Sequence, residues 1–147
     1  IALLALCLCL PLMGADKAKP LPKDIPSLTA LAEKGDANAQ NELGVRYYSG
    51  QGVKKNFNEA LKWFTKAAAQ GFAKAQADLG SMYFIGKGVK QNNFIAYAWW
   101  NIAAFNGNEK AKKAKALVTK KMTAGQITKA QELSKKLLKK HPKAAKQ

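Results

Sequence analysis

Apolar residues recur through the middle of the chain at helical spacing, and they do so twice. Ala39, Leu43 and Tyr47 stand at i, i+4 and i+8, which is one face of a helix. Ala75, Leu79 and Tyr83 repeat that face. Each run breaks at a pair of glycines, Gly50 and Gly52 or Gly86 and Gly88, which permit positive φ and a tight turn. A second helix follows each turn. It carries Ala60, Trp63 and Ala67 in one copy and Ala96, Trp99 and Ala103 in the other. Asn56 and Asn92 are the expected N-caps, and Gly71 and Gly107 the expected C′ residues. Glu59 stands three residues after Asn56, so it is expected to reach back as a capping box. In the second copy Ile95 takes its place.

The period is 36. Shifting the chain by 36 aligns residues 35–70 with 71–106 and leaves 16 of 36 positions identical. Unrelated segments of this composition match at about two or three. A helix pair of this kind cannot bury both faces alone, so successive pairs must stack. Gly44 and Gly80 recur beside the apolar face. A helical glycine costs roughly 1 kcal/mol against alanine, so its repetition predicts close approach of a neighbouring helix. The edges are degenerate. Residues 27–34 align with 63–70 as part of a second helix, and after Gly107 only Ala111 keeps the register of Ala75. Thr123 and Gln126 open a further helix as a capping box, and His141-Pro142 marks its end.

The pattern A-x-x-x-L-G-x-x-Y-x-x-G-x-G-V stands at Ala39–Val53 and again at Ala75–Val89. It continues as A-x-x-W-x-x-x-A-A-x-x-G at Ala60–Gly71 and Ala96–Gly107. The chain thereby resembles the Sel1-like repeat family, relatives of the tetratricopeptide repeats. The segment from Met122 to Leu133 looks like the terminal helix that closes many bacterial members. The resemblance implies an all-α, right-handed α-solenoid. Its domain would run over 27–141, with full repeats at about 36–71 and 72–107 and capping helices over 108–140. Residues 16–26 are then a linker and 142–147 a basic tail.

The resemblance also implies a non-enzymatic scaffold that binds a protein or peptide along the first helix of each pair. Carried over position by position, that face holds Asn38, Asn41, Val45 and Tyr48, then Lys74, Ala77, Ser81 and Phe84. The degenerate third unit adds Lys110, Lys113, Leu117 and Lys120. Asn38, Asn41, Tyr48, Lys74, Phe84, Lys110 and Lys113 are the expected partner-binding residues. The bland alternative is an ordinary solvated face. Tyr48 and Phe84 share one repeat position and are expected to be exposed, whereas Tyr47, Tyr83, Trp63, Phe64, Trp99 and Trp100 are expected in the core.

Charge changes the picture at one end. The formal charge is +16, and residues 107–147 hold 13 Lys against only Glu109 and Glu132. Arg46 is the single Arg, so this end attracts diffusely rather than through bidentate forks. The expected partner is therefore a protein or peptide with apolar and acidic character, met by a monomer. The alternative is an anionic envelope polymer held by the lysine-rich half. Nucleic acid is disfavoured because the chain reads as exported.

That reading rests on residues 1–15, which are uncharged and leucine-rich, too short to span a bilayer and suited to the apolar region of a signal peptide. Its basic start would lie upstream of Ile1, and cleavage is expected near Asp16. The mature chain, without a transmembrane segment, is placed in the periplasm or outside the cell. Cys7 and Cys9 both fall in the leader, which leaves no disulfide or thiolate site.

Catalytic chemistry is sparse, and neither metal nor cofactor is expected. His141, the only histidine, stands in the lysine-rich tail, where a solvated role is expected. GQGVKK and GKGVKQ superficially look like phosphate loops, but no Ser or Thr follows a Lys in register, and both repeat as turns. Glu42 and Asp78 share a repeat position; two exposed helix charges are expected there rather than a carboxylate pair for glycoside hydrolysis. Some cysteine-rich relatives are associated with β-lactam binding or hydrolysis. This chain lacks their cysteine pairs and offers no nucleophile beside a base.

Overall fold

The computed structural model describes residues 20–145. The expected leader, its two cysteines and the first part of the linker lie outside the described residues. Seven helices follow one another among those described: α1 (Ile25–Glu33), α2 (Ala37–Ser49), α3 (Phe57–Ala69), α4 (Ala73–Ile85), α5 (Asn93–Phe105), α6 (Glu109–Thr119) and α7 (Ala124–Lys140). No described residue lies in a strand. The fold is an all-α solenoid, in which α2–α3 and α4–α5 are the two full hairpins.

Local chemistry places the helix ends. Asp24, Asp36, Asn56, Asn92, Asn108 and Thr123 each accept backbone N–H groups of the first turn. Phe72 replaces Asp36 one repeat later and caps nothing; its ring packs on the core instead. Gly50 and Gly86 end α2 and α4 in the left-handed region, at φ 77° and 71°. The Asn56 and Asn92 N–H groups then donate back to Tyr47 O and Tyr83 O at 2.9 and 2.8 Å, closing both turns alike. Two details depart from expectation. Glu59 does not reach back to Asn56; it pairs with Lys62 at 3.3 Å, and Asn56 Oδ1 alone caps α3. The first helix starts at Ile25, two residues before the expected domain edge.

The core is layered between hairpins. Leu28, Ala32, Ala39, Leu43 and Trp63 join α1 to α2–α3. Phe64, Leu79, Met82, Trp99 and Ile102 join α3 to α4–α5. Ala96, Trp100, Ala111, Val118 and Ala130 join α4–α5 to α6 and α7. A buried amide link recurs at the same period. Gln40 donates to Ala32 O at 2.9 Å and accepts from Gln70 at 2.8 Å. Gln76 donates to Ala68 O at 3.0 Å and accepts from Asn106 at 2.8 Å.

The chain after α7 is no solvated tail over its first residues. Pro142–Ala144 forms a short 3-10 turn, and Ala144 is fully buried. Its carbonyl accepts from Gln76 Nε2 at 2.8 Å and Asn106 Nδ2 at 2.6 Å. His141 lies with its ring 6.4 Å from that of Trp99, partly covered rather than free in solvent. Sequence reasoning misplaced these residues because their partners lie 38 and 68 positions away.

Candidate functional site

Two grooves run between successive first helices, and they are related by the repeat. The first, about 340 Å³, lies between α2 and α4. Val45, Tyr48 and Ser49 form one wall and Lys74, Asp78 and Ser81 the other, with Phe64 as the floor. The second, about 480 Å³, lies between α4 and α6, with Phe84 opposite Ala114 and Leu117, and Trp100 beneath. Phe84 is Tyr48 plus 36, Trp100 is Phe64 plus 36, and Ala114 is Asp78 plus 36.

The glycines inside the first helices make the floors. A Cβ on Gly44 would lie 2.7 Å from the Phe64 ring, and one on Gly80 would lie 2.5 Å from that of Trp100. The absence of a side chain thus lets each ring lie against helix backbone at the groove base. Trp100 is also held by polar contact, its Nε1 donating to Ala77 O at 3.1 Å.

The expected site residues divide. Tyr48 and Lys74 meet in the first groove, and Phe84 lies in the second. Neither aromatic ring projects freely: Tyr48 packs edge-on against Phe57 at 5.2 Å, and Phe84 lies 5.4 Å from Trp100. They are half-buried walls rather than exposed anchors. Lys110 and Lys113 are exposed on α6. Asn38 is exposed but stands apart, near Leu31 and the segment Pro20–Pro22. Asn41 is a correction: it is 3% exposed, so no partner reaches it without rearrangement. Its counterpart Ala77 is 9% exposed and packs with Ala111 and Val118, which shows that stacking of the next repeat covers this position.

Asp78 corrects a second expectation. It and Glu42 do not form two equivalent exposed charges. Both are half-buried, but Glu42 pairs with Arg46 at 2.8 Å, whereas Asp78 lies in the first groove. Among the described residues no hydrogen bond or ion pair reaches its carboxylate. Burial pushes the Asp78 carboxyl above its ordinary range, and the positive charges of Lys74 and Lys110 pull it back only in part. The folded state therefore holds this proton more tightly than the unfolded chain does. Stability is lost as pH rises from the ordinary carboxyl value, about 4, through the raised folded value, and that loss persists at neutral pH. Asp78→Asn is accordingly expected to raise the melting temperature at pH 7 and to give no gain near pH 3. Thermal melts of both proteins at the two pH values check this, and an equal gain at both contradicts it.

The Sel1 repeat model matches residues 37–72 and 73–108. The secretory immunoglobulin A-binding protein EsiB of Escherichia coli O6:H1 is 41% identical over 44 residues, which are 30% of this chain and 9% of that protein. A protective antigen of uropathogenic Escherichia coli strains, whose crystal structure displays an SLR fold, superposes with a TM-score of 0.76 at 36% identity. That match covers 81% of this chain and 26% of the antigen's. A Sel1 repeat protein from Oxalobacter formigenes superposes with a TM-score of 0.61 at 41% identity, covering 62% of this chain and 68% of its own. The chain thus spans only a fraction of the two Escherichia coli proteins.

Proposed function

Because the chain belongs to the Sel1 repeat family, we propose that it is a non-enzymatic scaffold that binds a protein or peptide on the face built from α2, α4 and α6. The observation that carries this reading is the pair of grooves repeating at 36 residues, each floored by an aromatic ring that a helical glycine admits. A groove that recurs with the repeat offers an elongated partner several equivalent contacts. Large aromatic surfaces in such grooves are where binding energy concentrates.

The place of action is the bacterial envelope or the space outside the cell. The leucine-rich leader read from the sequence supports this, as do an immunoglobulin A-binding protein and a protective antigen among the relatives. Among the described residues no helix is long and apolar enough to cross a membrane. Intact mass of the chain recovered from its host's envelope fraction or medium is expected to start near Asp16; recovery of only unprocessed protein contradicts export.

Ser81 offers the test of the face. It is exposed on α4, lines the first groove and holds, one repeat on, the position that Val45 has there. A long side chain at this position obstructs both grooves without entering the core. Once a partner is captured from envelope extract, Ser81→Arg is expected to raise its dissociation constant at least about tenfold, or about 1.4 kcal/mol. The melting curve should be unchanged. Unaltered affinity would place the interface elsewhere.

A second reading is favoured by the lysines exposed on α6 and α7, including Lys112, Lys113, Lys135 and Lys136. They would hold an anionic envelope polymer through diffuse attraction. Steep salt dependence together with indifference to Ser81→Arg distinguishes that case.

A further inference from the structure

The two grooves are equivalent in position and different in chemistry. From the first to the second, Tyr48 becomes Phe84, Asp78 becomes Ala114, Ser81 becomes Leu117 and Ser49 becomes Ile85. Each change removes a polar group. Two run the other way: Val45 to Ser81 adds a hydroxyl, and Phe64 to Trp100 adds an indole N–H that donates to Ala77 O. Leu117 is 64% exposed, so a large apolar side chain stands uncovered beside Phe84 and the Trp100 floor, and Ile85, 47% exposed, follows Phe84 on α4. Such a patch is unusual on a chain this highly charged and marks a contact surface.

Its rim is equally one-sided. Lys120 and Lys121, just past the end of α6, line the second groove, and Lys110 and Lys113 stand exposed on α6. No acid lines it. The first groove holds Asp78, whose carboxylate has no donor and whose negative charge opposes an incoming acid.

Resting on the proposed first-helix face, we infer that the α4–α6 groove is the specificity pocket of this protein and takes a leucine-sized side chain flanked by carboxylates in a segment of a partner protein. The apolar side chain sits over Trp100 between Phe84 and Leu117. The flanking carboxylates meet Lys120 and Lys121. Apolar burial fixes the position, and the lysines speed the encounter and select the sign of charge. The same anchor is disfavoured in the α2–α4 groove, because its acidic neighbours would approach Asp78 and its apolar side chain would leave that carboxylate without water or donor.

The test uses the full chain and a fluorescein-labelled peptide with a single Leu between glutamates, read by fluorescence anisotropy. Leu to Ala in the peptide, or glutamate to lysine, is expected to abolish measurable binding. In the protein, Leu117→Ser should raise the dissociation constant at least about tenfold. Leu117 is exposed, so folding is not at risk. Ala114→Asp restores the acid of the first groove and should weaken binding likewise. Lys120→Gln with Lys121→Gln should mainly slow association and flatten its salt dependence. Val45→Arg, in the first groove only, should change little.

Three results overturn the proposal. Equal binding of the Leu and Ala peptides shows a lysine surface that takes any polyanion. Failure of the peptide to bind, while a native partner is still blocked by Ser81→Arg, removes this pocket and leaves the scaffold reading standing. Leucine-dependent binding that ignores both Leu117→Ser and Ser81→Arg removes the first-helix face itself.

Discussion

Leu79→Ala is expected to lower the stability of the fold by about 2–5 kcal/mol. Leu79 is 1% exposed on α4 and belongs to the layer of Phe64, Met82, Trp99 and Ile102 that joins α3 to α4–α5. Truncation loses the apolar transfer free energy and leaves a cavity between rings that are anchored elsewhere. In a solenoid each hairpin is held only by its neighbours, so a defect at this layer weakens both full repeats at once. A domain of this size is stable by about 5–15 kcal/mol, so the loss is a large part of the total. Urea denaturation followed by circular dichroism measures it. A loss under about 1 kcal/mol would mean that the α4 face is wrongly placed.

Gly80→Ala is expected to destabilise by about 2 kcal/mol net, against the gain that this substitution normally gives in a helix. An exposed helical Gly→Ala change gains roughly 1 kcal/mol. At Gly80 the new Cβ would lie 2.5 Å from Trp100 Cδ1 and Nε1. The indole cannot retreat cheaply, because Nε1 donates to Ala77 O and the ring packs on Phe84. Overpacking of this kind costs about 1–3 kcal/mol, and a ring fixed on two sides lies at the upper end. Because the same ring floors the second groove, the variant should also lose affinity for the leucine-bearing peptide. Denaturant melts and anisotropy on one preparation report both effects. A Gly80→Ala protein as stable as the parent contradicts the packing described.

The repeat made most of this fold legible. Sixteen identities at one period locate both hairpins, and Asn56, Asn92, Thr123 and the paired glycines place their ends within a residue or two. Those signals are local, and local chemistry decides them. What stayed hidden depends on contacts between distant positions. Phe64 and Trp100 read as core, and they are buried. That they also floor grooves follows from the missing side chains of Gly44 and Gly80, twenty residues before each. Asn41 read as accessible because helical phase alone cannot show that the next first helix closes over its repeat position. Asp78 read as a solvated charge like Glu42. Both are half-buried, and only Glu42 has a cation one turn on at hydrogen-bond distance to compensate it. The turn Pro142–Ala144 looked like a tail because its anchors, Gln76 and Asn106, lie in other helices.

If partners are read by the face of α2, α4 and α6, site-specific photocrosslinking will show it. A crosslinking residue is placed singly at Ser49, Ser81 and Lys113 on that face, and at Lys62 on α3 and Lys135 on α7 as controls. All five positions are exposed, so none of the substitutions disturbs the core. The expected result is one and the same envelope protein joined from Ser49, Ser81 and Lys113, and none from Lys62 or Lys135. Crosslinks to a specific partner from Lys62 or Lys135, with the three first-helix positions silent, would contradict it.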